Sequence, residues 1–232
     1  MTKIISVLNT KGGATKTTTC INLGPALQEV SGKTVLLVDS DKQALLANFA
    51  KNTELEFPDV IQVTDVSSMK NLKNIGASYD YVIVDGTAKD AHITSTTISV
   101  SDLVLMPVVP SPIELDGTQA VAQMVTERLL LVDYPPAYFY CSKMKKNHAF
   151  SKRMREIIEP FELPVLLTEI QEREVYRDCY GRSESVMDLK TTGYRQARVE
   201  MRSMSAEIIS ILEGGSYKVD TKETGVMEVL HG

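Results

Sequence analysis

The chain has few of the features that mark a secreted, membrane-spanning or cluster-bearing protein. Its three cysteines, Cys20, Cys141 and Cys179, are odd in number, far apart and flanked by no ligand-like His or Cys. They read as free thiols in a reducing cytosol. No stretch approaches the ~20 consecutive apolar residues that cross a bilayer. The opening MTKIISVLNT holds a short apolar run but no signal-peptide core or cleavage site. Basic charge is not in excess: 25 Lys and Arg against 30 Asp and Glu leave a net charge of −5. That argues against nucleic-acid binding over the whole surface and leaves room for a local patch. No internal repeat, low-complexity linker or second-domain boundary breaks the 232 residues. One α/β domain is expected over 1–213, followed by a flexible tail at 214–232 that begins with two glycines and lacks a long apolar pattern.

What the sequence does have is an alternation of short apolar runs and longer mixed segments, in a composition that is 43% hydrophobic and 24% charged. Strands are predicted at 3–8, 34–39, 60–65, 81–85, 103–109, 137–141 and 164–170. Several are apolar throughout, as strands covered on both faces should be. Helices are predicted at 16–30, 115–131, 149–159 and 194–213, the last with Ala197, Met201, Met204, Ile208, Ile211 and Leu212 on one stripe. Strand–helix alternation implies right-handed βαβ units: a single doubly wound, mostly parallel sheet with helices on both faces.

Ligands of such a sheet sit at the carboxyl ends of its strands. There, between the first strand and first helix, stands NTKGGATKTT (9–18). The ordinary phosphate-loop pattern G-x-x-x-x-G-K-[ST] fails on it, since its two glycines fall on Thr10 and Thr15. The ingredients of an anion cradle remain. Gly12 and Gly13 permit a tight turn and close phosphate approach, Lys16 would reach the β/γ-phosphates, and the Thr17 hydroxyl would bind Mg²⁺. Two further strands end in acids, VLLVDSDKQ with Asp39 and Asp41 and YDYVIVDGT with Asp85. A parallel sheet delivers these carboxylates to the rim of the loop, where a magnesium ion and an attacking water need them.

Together KGGATKTT, VDSDKQ and YDYVIVD resemble the deviant Walker A, A′ and B motifs of the ParA/MinD family of ATPases. SDLVLMPVVPSPIELDGTQAV and TEIQEREVYRDCYGRSESVMDL resemble the branch that partitions plasmids and chromosomes. The resemblance spans roughly residues 3–212, a P-loop NTPase-like domain. It implies an ATP-bound homodimer in which two subunits sandwich two nucleotides and Lys11 crosses to the partner's site. It further implies a nucleotide-binding run of Lys11, Gly12, Gly13, Ala14, Thr15, Lys16, Thr17 and Thr18, the last at the α-phosphate. Lys11, Lys16 and Asp41 would be catalytic, Asp41 positioning the attacking water, while Thr17, Asp39 and Asp85 serve the magnesium. ATP or ADP and Mg²⁺ are the expected ligands, turnover is expected to be slow, and the location cytoplasmic and nucleoid-associated. The departures are Thr15 in place of glycine, Lys42 in place of proline, DGTAKD in place of D-x-P-P, and Ser142 where an asparagine often helps to read the base.

Basic residues gather in KMKKNHAFSKRMR (143–155), which has six cations and no acid. A second group, Arg173, Arg177, Arg182, Lys190, Arg195, Arg198 and Arg202, is interleaved with five acids. By the resemblance, non-specific DNA is a partner. Lys143, Lys145, Lys146, Lys152 and Arg153 from the first group, and Arg173 and Arg177 in an I-x-x-R-x-x-x-R stretch, are the expected contacts. The chain lacks the N-terminal extension that would hold a helix-turn-helix, so sequence-specific operator binding is not expected. A ParB-like adaptor is the implied protein partner. Rival classes fit less well. A MinD-like membrane ATPase needs a C-terminal amphipathic helix with a basic face, which SYKVDTKETGVMEVLHG does not offer. A cluster-bearing reductase needs paired cysteines. A similar ATPase for another cargo, such as a conjugation complex, microcompartment or receptor array, stays close to the leading reading.

Overall fold

Valine, isoleucine and leucine at the runs read above build a single sheet, because strands apolar on both faces are stable only between two layers of helix. The computed structural model describes residues 1–11, 13, 15–129, 136–145, 147–188 and 194–215, and of 112–117 and 128–129 the backbone alone. Gly12, Ala14, Lys146, Lys190 and the tail beyond 215 lie outside the described residues. The strands are β1 (Lys3–Val7), β2 (Val35–Asp39), β3 (Asp59–Gln62), β4 (Tyr81–Asp85), β5 (Leu103–Val108) and β6 (Ala137–Cys141). They form a six-stranded sheet in the order β3-β2-β4-β1-β5-β6, with every pairing parallel.

Alternate residues of each strand serve opposite layers. Ile5, Leu37, Ile83 and Leu105 pack with α1 (Lys16–Ser31), α9 (Glu174–Arg182) and α10 (Arg195–Leu212). Their neighbours Ile4, Leu36, Val82 and Val104 face the other layer. That layer holds α3 (Val66–Lys70), α4 (Leu72–Ile75), α5 (Ala91–Val100), α6 (Pro112–Leu129) and α8 (Met154–Ile158). Two more α-helices among the described residues are α2 (Leu45–Asn52) and α7 (Ala149–Lys152). The doubly wound architecture expected from the sequence is present. Met201 and Met204 are core residues of α10, both essentially buried.

Three expectations need correction. Residues 164–170 do not form a seventh strand; they meet the sheet at isolated points, Val165 bridging to Phe139 and the Ile170 amide donating to the Cys141 carbonyl, followed by a bridge from Gln171 to Met144. The cause is competition for their backbone groups. The buried Glu207 carboxylate accepts from the Leu167 and Thr168 amides at 2.6 and 3.0 Å, while Arg155 donates to the Leu166 and Leu167 carbonyls. The helix predicted at 149–159 is broken at Arg153 into α7 and α8. Helix α5 was missed because AHITSTTISV lacks an apolar stripe. Its hydroxyls are satisfied inside the helix, Thr94, Thr96, Thr97 and Ser99 each donating to the carbonyl four residues back. Asp90 caps it by accepting from the His92 and Ile93 amides.

Strand order positions the site. β4 lies between β1 and β2, with Val7 opposite Asp85 and Asp85 opposite Asp39. The β1–α1 turn and the acids of β2 and β4 therefore share one rim.

Candidate functional site

Leaving β1, the chain is fixed by Asn9, which is buried. Its side-chain amide donates to the Pro107 carbonyl and the Thr118 hydroxyl, and its Oδ1 accepts from the Lys11 amide at 2.9 Å. The turn then uses a positive φ of 83° at Gly13, a conformation that suits glycine. Thr15 also takes a left-handed conformation, φ 65° and ψ 5°, as the residue before α1. This β-branched residue stands where the resemblance calls for glycine, and left-handed geometry costs a side chain of its kind roughly 1–2 kcal/mol. Its hydroxyl donates to Ser142 Oγ at 3.0 Å, tying the loop to the end of β6.

Lys16 opens α1 and is buried to 8% exposure, a depth at which lysine needs partners; its Nζ donates to the Lys11 carbonyl at 3.0 Å. The Lys11 ammonium pairs with no carboxylate among the described residues. Thr17 donates to Asp85 Oδ2 at 2.6 Å, a short charge-assisted bond. Thr18 follows in the first turn of α1 and borders the same cavity. Asp85 is 2% exposed, and its Oδ1 is buried without a hydrogen-bond partner. Burial pushes this carboxyl up to about 7, with Thr17 pulling the other way and the charge of Asp39 adding to the rise.

Asp39 and Asp41 divide their duties. Asp39 is fully buried and spends both oxygens on backbone amides, those of Asp41 and Ala47 at 3.0 Å each, which fixes the start of α2. Burial raises its pKa, and these bonds hold it back. In this arrangement it reaches Asp85 through its charge. Asp41 accepts from the Gln43 amide and from the Thr87 hydroxyl, so the acids after β2 and β4 are linked. Ser40, unnoticed in the sequence, completes the link: its hydroxyl donates to the Asp85 carbonyl and accepts from the Thr87 amide. A buried serine between two acids at a strand end is the signal that could have found it.

A cavity of about 390 Å³ opens beside the loop, lined by Gly13 and Thr15–Thr19 on one side and by Ser142, Lys143 and residues 170–173 on the other. Arg173 and Arg177, placed on a DNA surface by the sequence reading, line it as well. Both are paired, Arg173 to Glu200 at 2.6 Å and Arg177 to Glu172 at 2.6 Å. Lys145 also pairs with Glu172, and Arg153 with Glu156. Lys152 is exposed, and Lys143 donates to the Gly13 carbonyl at 3.0 Å. The sequence reading put Ser142 near the base, but missed that Lys143, Arg173 and Arg177 line the same cavity.

A positive helix end, a buried lysine and two glycine-like turn positions suit phosphate. Hard oxygens from Thr17 and Asp85, one of them unpartnered, fit a magnesium ion. Among the described residues no three or more His, Cys, Asp or Glu converge to hold a metal by themselves. That matches an ion completed by nucleotide phosphates and water. Fold and site together define a P-loop nucleotide-binding domain.

The chain belongs to the CobQ/CobB/MinD/ParA nucleotide binding domain family, whose profile matches residues 5–186, and is a ParA-type ATPase. It is 30% identical over 210 residues to the maintenance of carboxysome distribution protein A of Halothiobacillus neapolitanus, covering 88% of this chain and 95% of that protein. Protein ParA of Rhizobium radiobacter is 31% identical over 163 residues, covering 67% and 72%. The fold is shared with the septum site-determining protein MinD of Pyrococcus horikoshii complexed with Mg-ADP. There the TM-score is 0.70, the identity 19% and the coverage 91% and 99%.

Proposed function

We propose that this chain is a positioning switch that binds Mg-ATP, dimerises over it, holds non-specific DNA and releases it when an adaptor stimulates hydrolysis. The observation that carries the reading is the convergence of Lys11, Lys16, Thr17 and Asp85 on one rim around the β1–α1 turn. Lys16 binds the phosphates from within the subunit. Thr17 and Asp85 would hold magnesium, which when bound neutralises charge on the β- and γ-phosphates. Asp41, oriented by Thr87, holds the attacking water by accepting its hydrogen bond. Lys11, paired with no carboxylate among the described residues, reaches the nucleotide of a second subunit and stabilises the transferring phosphoryl group.

The DNA surface follows from charges that are paired in the isolated subunit. Lys145, Arg153 and Arg177 are largely exposed, and such pairs are worth ~0–1 kcal/mol, so DNA phosphates can replace the carboxylates. Arg173 is more enclosed and held twice by Glu200, which favours a role in placing the cavity wall. Overlap over 88% of this chain and 95% of the carboxysome distribution protein supports a cargo other than a plasmid. A plasmid, with a ParB-like adaptor, is the second reading, favoured by the likeness to ParA. Among the described residues no helix is long and apolar enough to cross a membrane.

Sizing the protein with ADP, ATP and a slowly hydrolysed analogue, each with and without plain duplex DNA, tests the switch. Dimers and DNA complexes should form with ATP and with the analogue, and not with ADP. Lys16→Ala should lose nucleotide, whereas Lys11→Ala should bind it and stay monomeric. A Lys11→Ala protein that dimerises and turns over like the parent would remove the cross-subunit lysine.

A further inference from the structure

Lys143 opens the basic run 143–155, yet its side chain does not join the others. Its Nζ reaches across the rim to the Gly13 carbonyl at 3.0 Å and borders the same cavity as Thr15 and Lys16. The backbone is set for this reach: Lys143 has φ 52°, a left-handed conformation that side chains other than glycine seldom adopt. Ser142, beside it and 2% exposed, accepts from the Thr15 hydroxyl. Residues 142 and 143 therefore grip the phosphate loop at positions 15 and 13.

The charges separate Lys143 further from its neighbours. Lys145, Arg153, Arg173 and Arg177 each face a carboxylate. Lys143 pairs with none among the described residues; its one bond goes to a neutral carbonyl, which leaves two of three ammonium donors for a ligand. An uncompensated ammonium held at the mouth of an anion cradle is placed for phosphate, and α1 presents its positive end into the same space.

We propose that Lys143 belongs to the nucleotide site and not to the DNA surface, supplying with Lys16 a second cation from the same subunit to the nucleotide's phosphates. The proposal builds on the family's nucleotide-binding role. It also gives Thr15 a purpose: the hydroxyl absent from glycine holds the segment that carries this lysine.

Binding of fluorescent ATP and AMP to Lys143→Met, Lys143→Arg and Lys16→Ala tests it, with plain-duplex binding measured at saturating ATP. Lys143→Met should weaken ATP by about tenfold or more and AMP by less than about threefold, because a cation acts in proportion to the phosphate charge it meets. Lys143→Arg should recover most of the loss, and DNA affinity of the ATP-saturated protein should stay within about twofold. ATP affinity within about twofold of the parent would overturn the assignment. So would equal losses for ATP and AMP, the mark of a mere prop under Gly13. Should Lys143→Met fail to fold by circular dichroism, Lys143→Gln gives the same two readouts. If the parent and Lys16→Ala bind ATP alike, the nucleotide site itself is misplaced and the role of Lys143 falls with it.

Discussion

Replacing Asp85 by asparagine should make the ligand-free protein more stable and the ATPase inactive. In the folded chain this carboxyl is pushed from 3.8 to about 7 by burial, a rise of about three pH units. At ~1.4 kcal/mol per unit, ionised Asp85 costs the fold about 4 kcal/mol at pH 8. Asparagine removes that charge and still accepts from Thr17, but its amide nitrogen falls where Oδ1 has no partner, returning about 1–3 kcal/mol. The net gain expected is therefore about 1–3 kcal/mol. The sign with pH follows from the raised value. Between 3.8 and about 7 the folded chain holds a proton that the unfolded chain has released, so stability falls as pH rises through this window and levels above it. Asp39, raised in the same direction, contributes to both proteins. Urea unfolding from pH 5 to 8, after nucleotide and divalent ions are removed, should show a shallower decline for Asp85→Asn. Mg-ATP should then raise the midpoint of the parent and not of the variant. A variant less stable than the parent at pH 8, with an unchanged slope, would refute this account of Asp85.

Two further outcomes are expected. A Cβ on Gly86 would come within 2.3 Å of the Leu8 side chain and 2.8 Å of the Val7 carbonyl, so Gly86→Ala should cost about 1–3 kcal/mol in urea unfolding and lower kcat by displacing Asp85 and Thr87. Glu207→Ala strands the Leu167 and Thr168 amides and should cost about 2–4 kcal/mol, with hydrogen exchange rising first at those two positions.

How much of this was legible beforehand follows from what each residue answers to. Strands β1, β2, β4 and β5 were readable because strands covered on both faces must be apolar, and the acids that end β2 and β4 were readable because nothing apolar replaces them. The loop was readable as chemistry: two lysines, glycines and threonines in ten residues have few other uses. The strand at 164–170 failed because PVLLTEI has the composition of a strand, while its backbone partners are side chains, Arg155 from α8 and Glu207 from α10, the latter 40 residues away in sequence. Helix α5 failed because hydroxyls that bond their own backbone look polar in any periodicity count. Lys143 was grouped with its sequence neighbours, and only the left-handed turn at that residue sends it to the loop. Arg173 and Arg177 were read by charge alone, and charge does not reveal which carboxylate a cation faces.

The acid and guanidinium that occupy the backbone beyond β6 also bear on how copies of this chain can meet. An open sheet edge invites a further strand from another molecule. Here Glu207 and Arg155 consume the amides and carbonyls such a strand would need. The opposite edge is the four-residue β3, whose first residue is an acid. Growth by sheet extension is thus discouraged at both flanks, and partners are left to approach across the rim.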